Sequence, residues 1–196
     1  MKILIKQAKI IDSSSEFHKQ IKDVLITNGK ITEIEDHLNS NDKNTIEILS
    51  KNLHISKGWI DLKAHFCDPG DEHKETLSNG LDSAATGGFT HVAVLPSTKP
   101  VIDHKSLIEY VLRKSDQHAV QFIPMACITK EMKGEELAEI YDLKNAGAVL
   151  FSDDIKTPKA QVLTNALLYS DNYDCTIIVN SFNHSLSHES QVNEGI

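Results

Sequence analysis

The chain opens on alternating apolar and polar positions. Between Met1 and Ile11, Ile3 and Ile5 and then Ala8 and Ile10 recur at period 2, the spacing of a half-buried strand. A polar turn, Ser13-Ser14-Ser15, follows. Asp23-Val24-Leu25-Ile26 then runs into Thr27-Asn28-Gly29-Lys30 and Ile31-Thr32-Glu33-Ile34. Asn-Gly between two apolar runs is the strongest short hairpin signal, because both residues tolerate positive φ. Residues 39–44 are a polar loop, and Ile46 to Leu49 predict a further short strand. The pattern over residues 1–56 is that of a small antiparallel β unit. It has too little apolar surface to stand alone and is expected to lean on other structure.

From Trp59 the rhythm becomes strand, loop, helix. Trp59-Ile60-Asp61-Leu62 predicts a strand. Leu77, Leu81 and Ala84/Ala85 predict a helix over 75–85, stopped by Gly87-Gly88. His91 to Leu95 is the next strand, broken by Pro96. A helix over 106–113 takes Asp103 as its cap. A strand at 121–125 precedes an amphipathic helix over 134–145, ended by Gly147. A strand at 148–151, a helix at 158–169 and a strand at 176–179 complete the pattern. Strands alternating with helices predict βαβ units and a parallel sheet over residues 57–196. The fold class is therefore α/β. Five strands in about 140 residues are too few for an eight-stranded barrel, which needs about 200 residues or more.

Composition narrows the function classes. Twenty Lys/Arg against 28 Asp/Glu leave a net charge of −8, which disfavours non-specific binding to nucleic acid or anionic lipid. No apolar run approaches the roughly 20 residues that cross a bilayer. The N-terminus has neither a continuous apolar run nor a small-residue cleavage site, so it does not read as a signal peptide. Cys67, Cys127 and Cys175 are widely spaced and odd in number. They suggest neither a disulfide framework nor a thiolate zinc knuckle, and the expected compartment is the cytoplasm. Phosphate-binding glycine loops and the GxSxG elbow are absent.

The segment Gly58-Trp59-Ile60-Asp61-Leu62-Lys63-Ala64-His65-Phe66-Cys67-Asp68-Pro69-Gly70 resembles the dihydroorotases of the amidohydrolase superfamily, in the larger subclass similar to allantoinases and hydantoinases. The resemblance continues through Glu72 to Thr76, Gly87-Gly88-Phe89-Thr90, Leu95 to Asp103, Lys133 to Glu139 and Gly147 to Asp154. It corresponds to about the N-terminal half of a family member. It implies a partial TIM-type (β/α)8 metal-dependent-hydrolase barrel over 57–196, preceded by a small N-terminal β-sandwich unit over 1–56. It also implies hydrolysis of a cyclic amide at the barrel mouth, with zinc to acidify water and polarise the carbonyl.

Against that pattern the chemical positions depart. The resemblance puts a His-x-His pair on the first barrel strand, where this chain has Lys63 and His65. A protonated Lys63 cannot ligate Zn²⁺; read more plainly, it is a solvated strand end. The substrate-carboxylate Arg corresponds to Cys67, a substrate-binding Asn to Ser97 and a metal-ligand His to Asn180. A thiol makes no bidentate fork with a carboxylate, and an amide oxygen is a poor zinc ligand beside imidazole. His65, Asp153 and Asp154 match the family's metal positions and remain the residual metal candidates. Asp153 also reads as a loop or helix-cap carboxylate. His184 and His188 would share a face if their segment were helical, though surface polar residues are the readier reading. Cys67 and Cys127 read as inert thiols rather than nucleophiles.

Residues that build the backbone (Asp68-Pro69-Gly70, Gly87-Gly88, Pro96, Pro100, Gly147) fit the family; Lys63, Cys67, Ser97 and Asn180 do not. The expectation is a dihydroorotase-like protein of pyrimidine biosynthesis, non-catalytic as it stands, with zinc weakly bound or absent. The resemblance also implies a role as a structural partner, for example of aspartate transcarbamoylase, which inactive homologues of this family accompany. The rival expectation is an active cyclic amidohydrolase with an altered metal site, and a third is a fragment lacking half the site. A half-barrel also leaves an edge and a face uncovered, so self-association or the remaining half of the barrel is expected.

Overall fold

The computed structural model describes residues 1–180 and 182. The chain divides into two compact units, Met1–Lys57 and Gly58 onward.

The first unit is one five-stranded sheet made of β1 (Lys2–Ile11), β2 (Ile21–Thr27), β3 (Lys30–Glu35), β4 (Thr45–Leu49) and β5 (His54–Ser56), in the order β3-β2-β1-β4 with β5 also on β1. The hairpin falls on Asn28 and Gly29, at φ 52° and 78°, as the dipeptide predicts. The change of phase between Ile5 and Ala8 is a β-bulge. Ile5 lies opposite Val24 and Ala8 opposite Lys22, so three steps on β1 match two on β2. Gln7 sits in the bulge at φ 50°. The extra residue keeps Ile3, Ile5, Ala8 and Ile10 on one face.

The expectation of a purely antiparallel unit is corrected, because β4 and β5 both run parallel to β1. The chain after β3 crosses to the far edge of β1 instead of folding back beside β3. Buried Asp23 holds the crossing in place. Its carboxylate accepts from Leu38 N at 2.9 Å and Gln7 N at 2.8 Å, and the Lys6 ammonium lies 3.0 Å away.

The second unit alternates β6 (Trp59–Ala64), α1 (Leu77–Thr86), β7 (Phe89–Val94), α2 (Lys105–Lys114), β8 (Gln121–Ala126), a 3-10 turn (Lys130–Met132), α3 (Ile140–Ala146), β9 (Leu150–Ser152), α4 (Ala160–Asp171) and β10 (Thr176–Ile178). The strands lie in the order β10-β9-β8-β7-β6, all parallel. Leu77 and Leu81 of α1, Ile108 and Val111 of α2, and Leu143 of α3 pack with Val92, Val94, Phe122 and Phe151 in one core. Gly80 lets the Phe66 ring lie on α1: a Cβ there would come within 2.5 Å of it.

Two expectations inside this unit are corrected. The helix expected over 134–145 begins only at Ile140. Residues 134–139 instead cross the end of β8: Thr129 bridges Leu137, and Ala138 N donates to Ile128 O at 2.9 Å. Their apolar positions are met by that pairing before a helix can start. Asp103 does not cap α2. The cap position is His104, with no side-chain cap bond, and Asp103 Oδ2 accepts from Glu131 N at 2.9 Å. Gly147 does end α3, in the left-handed region at φ 118°. No helix among the described residues is long and apolar enough to cross a membrane.

Candidate site at the carboxyl ends of the strands

Because β6 to β10 are parallel, the residues just after them share one edge of the sheet, where barrel enzymes carry their chemistry. His65 and Cys67 follow β6, Ser97 follows β7, Asp153 and Asp154 follow β9, and Asn180 follows β10. Lys63 lies near the end of β6, and positions 63 and 65 share a face of an extended chain.

The centre of this edge is the Asp154 carboxylate. Lys63 Nζ lies 3.5 Å from Asp154 Oδ1, and Ser97 Oγ donates to Asp154 Oδ2 at 2.9 Å. A positive φ of 54° at Asp154 turns this residue away from its predecessor, and its backbone N–H is held by Ser152 Oγ at 3.1 Å. Lysine and serine thus meet at one carboxylate, which comes from two strands away from Ser97 and three from Lys63.

His65 joins through the same loop. Its Nε2 is 3.0 Å from Ser97 O, and its Nδ1 is 3.3 Å from Cys67 Sγ. A carbonyl oxygen only accepts, so Nε2 carries the ring proton and Nδ1 accepts from the thiol. Both nitrogens of His65 are engaged. The Cys67–His65 pair was not anticipated from the sequence. The signal was their i, i+2 spacing, and a positive φ of 52° at Cys67 completes it.

Asp153 points elsewhere. Its side chain is buried and accepts from Ile128 N at 2.8 Å, from Thr129 N at 3.1 Å and from the Thr129 hydroxyl. Thr129 Oγ1 in turn accepts from Gly134 N at 2.9 Å. Burial raises the Asp153 pKa above the usual carboxylate value, against the lowering pull of those hydrogen bonds. The carboxylate pins the loop after β8, which fits the alternative reading of a loop carboxylate. Neighbouring Asp153 and Asp154 therefore serve two different environments.

Asn180 O accepts from Thr157 Oγ1 at 3.1 Å. His184 and His188 lie outside the described residues. Cys127 is buried, and burial first, with Asp153 and Asp103 adding to it, pushes its thiol pKa far up. Among the described residues, no group of three or more His, Cys, Asp or Glu is placed to hold a metal ion.

A five-stranded parallel βα sheet with its polar residues gathered at the strand carboxyl ends has the arrangement of part of a (β/α)8 barrel. The L-hydantoinase of Arthrobacter aurescens matches 92% of this chain with 41% of its own, at TM-score 0.66 and 19% identity. A D-hydantoinase does so at TM-score 0.69 and 20% identity, over 40% of its length. A dihydroorotase crystal structure matches 91% of this chain with 50% of its own, at TM-score 0.59 and 13% identity. The Dihydro-orotase-like family model matches residues 53–195, and the chain belongs to that family. Dihydroorotases of Syntrophus aciditrophicus and Citrifermentans bemidjiense are 37% and 40% identical over the whole chain, which covers 46% of each. The chain thus spans about half the length of the curated relatives it matches.

Proposed function

We propose that this chain is a dihydroorotase-like protein of pyrimidine biosynthesis that does not itself hydrolyse a cyclic amide and acts in the cytoplasm as a structural partner, with aspartate transcarbamoylase the favoured companion. The observation that carries this reading is the Lys63–Asp154 pair. A Zn²⁺ site in this family type would draw on His65 and Asp154. Here an ammonium 3.5 Å away neutralises the Asp154 carboxylate, and a second cation there would be repelled. His65 gives one nitrogen to a carbonyl and the other to a thiol, so no lone pair on its ring is free. Asp153 is taken up by three donors of the β8 loop. This donor set does not fit zinc, and no hydrolytic step is derived through it.

The partner half of the proposal rests on β6. Trp59, Ile60 and Leu62 on this edge strand are 61%, 58% and 62% exposed. An apolar edge of that kind is stable only when covered, by a second copy, by the remaining half of a barrel or by another subunit.

Elemental analysis of protein purified without chelator, together with a dihydroorotate turnover assay, tests the proposal. The expected result is well under one zinc per chain and no turnover. One tightly held zinc with measurable turnover would overturn it in favour of an altered but active amidohydrolase.

A further inference from the structure

The three thiols of the chain stand in different surroundings. Cys127 is buried, and burial first pushes its pKa far up. Cys175 is half-buried, its Sγ donates to Tyr173 O at 3.6 Å, and burial first raises its pKa as well. Cys67 is half-buried too, but its Sγ lies 3.3 Å from Nδ1 of an exposed imidazole, that of His65.

That imidazole is held in one orientation. Its Nε2–H donates to Ser97 O at 3.0 Å, and Ser97 is itself tied down by its hydroxyl, which donates to Asp154 Oδ2 at 2.9 Å. The Nδ1 lone pair is thereby left to the thiol. A nucleophile within hydrogen-bond reach of a base, with the base oriented by a third group, is the arrangement that activates cysteine. The thiolate is the reactive form of the residue, and Nδ1 is where its proton goes. The pair needs no metal and no further strand, because the segment after β6 and the loop after β7 supply all of its atoms.

We propose that Cys67 is a nucleophile activated by His65 and that it takes up small disulfides as a mixed disulfide. Cys67 Sγ attacks one sulfur of the disulfide as its proton passes to His65 Nδ1. The old S–S bond breaks as the new one forms, and the released thiolate takes the proton from Nδ1 and leaves as a thiol. One disulfide is consumed and one is made, so no other oxidant enters. The test incubates the full 196-residue chain with oxidised glutathione at neutral pH and maps the adducts by peptide mass spectrometry, with Cys175 as the internal reference. Cys67 should react at least about tenfold faster than Cys175, and His65→Gln should slow Cys67 by at least about tenfold while leaving Cys175 unchanged. In urea, where the pairing with His65 is lost, wild-type Cys67 and Cys175 should react alike, an arm that needs no folded variant. Equal Cys67 rates in wild type and His65→Gln would overturn the proposal, because exposure alone would then account for the reaction. So would a Cys67 that reacts no faster than Cys175 in the native chain, or one that keeps its full lead in urea.

Discussion

Replacing Asp153 separates a structural carboxylate from a metal ligand. Its side chain, on a residue 1% exposed, accepts from two backbone N–H groups and one hydroxyl. Asp153→Ala leaves Ile128 N and Thr129 N buried without an acceptor. At about 1–3 kcal/mol for each of the two unsatisfied buried donors, the loss is about 2–6 kcal/mol. Asp153→Asn keeps an acceptor oxygen for both N–H groups, and the Thr129 hydroxyl can turn to accept from the new amide. It also removes a charge whose burial is unfavourable. Because the folded pKa is raised, the folded state binds the proton more tightly than the unfolded chain. Stability therefore falls as pH rises from the unfolded value through the folded one. Asp153→Asn lacks that slope and should stay within about 1 kcal/mol of wild type at neutral pH. Urea unfolding followed by circular dichroism, from pH 4 to 8 and with and without added zinc, reads all of this. The reasoning fails if Asp153→Ala is as stable as wild type. It fails equally if zinc raises the wild-type midpoint and Asp153→Asn abolishes the rise.

Two further outcomes are expected. Burial works to raise the Asp23 pKa, but hydrogen bonds from Leu38 N, Gln7 N and Lys6 prevail and hold it at about 2 against 3.8. A depressed carboxylate of this size contributes roughly 2 kcal/mol above pH 4, lost as pH falls through the folded value. Acid unfolding of wild type against Asp23→Asn should show that loss in wild type alone, and parallel acid curves would refute it. At low micromolar concentration the protein should sediment above its 21.8 kDa chain mass, with Leu62→Lys shifting it towards the monomer. A monodisperse, cooperatively melting wild-type monomer would refute the account of the β6 edge.

The local elements were legible in the sequence because their causes are local. Asn28-Gly29 turns the first hairpin since both residues accept positive φ, whereas the bulge at Gln7 was not among the expectations and emerged only from the pairing of β1 with β2. Period-3.6 apolar spacing gave α1 and α2, and Gly147 ended α3 in the left-handed region. Family membership was legible too, since the motifs carrying it are contiguous. What escaped was decided by groups far apart in the chain. Residues 134–139 carry a helical pattern, yet pairing with Thr129 and Ile128 claims their backbone first. Asp103 looks like a cap until Glu131 N, 28 residues away, takes its carboxylate. Asp153 and Asp154 are adjacent letters of similar chemistry. Only the tertiary structure sends one into the β8 loop and turns the other to Lys63 and Ser97. A hydrogen bond or ion pair across tens of residues leaves no periodicity, so the sequence could name candidate residues but not which of them would meet.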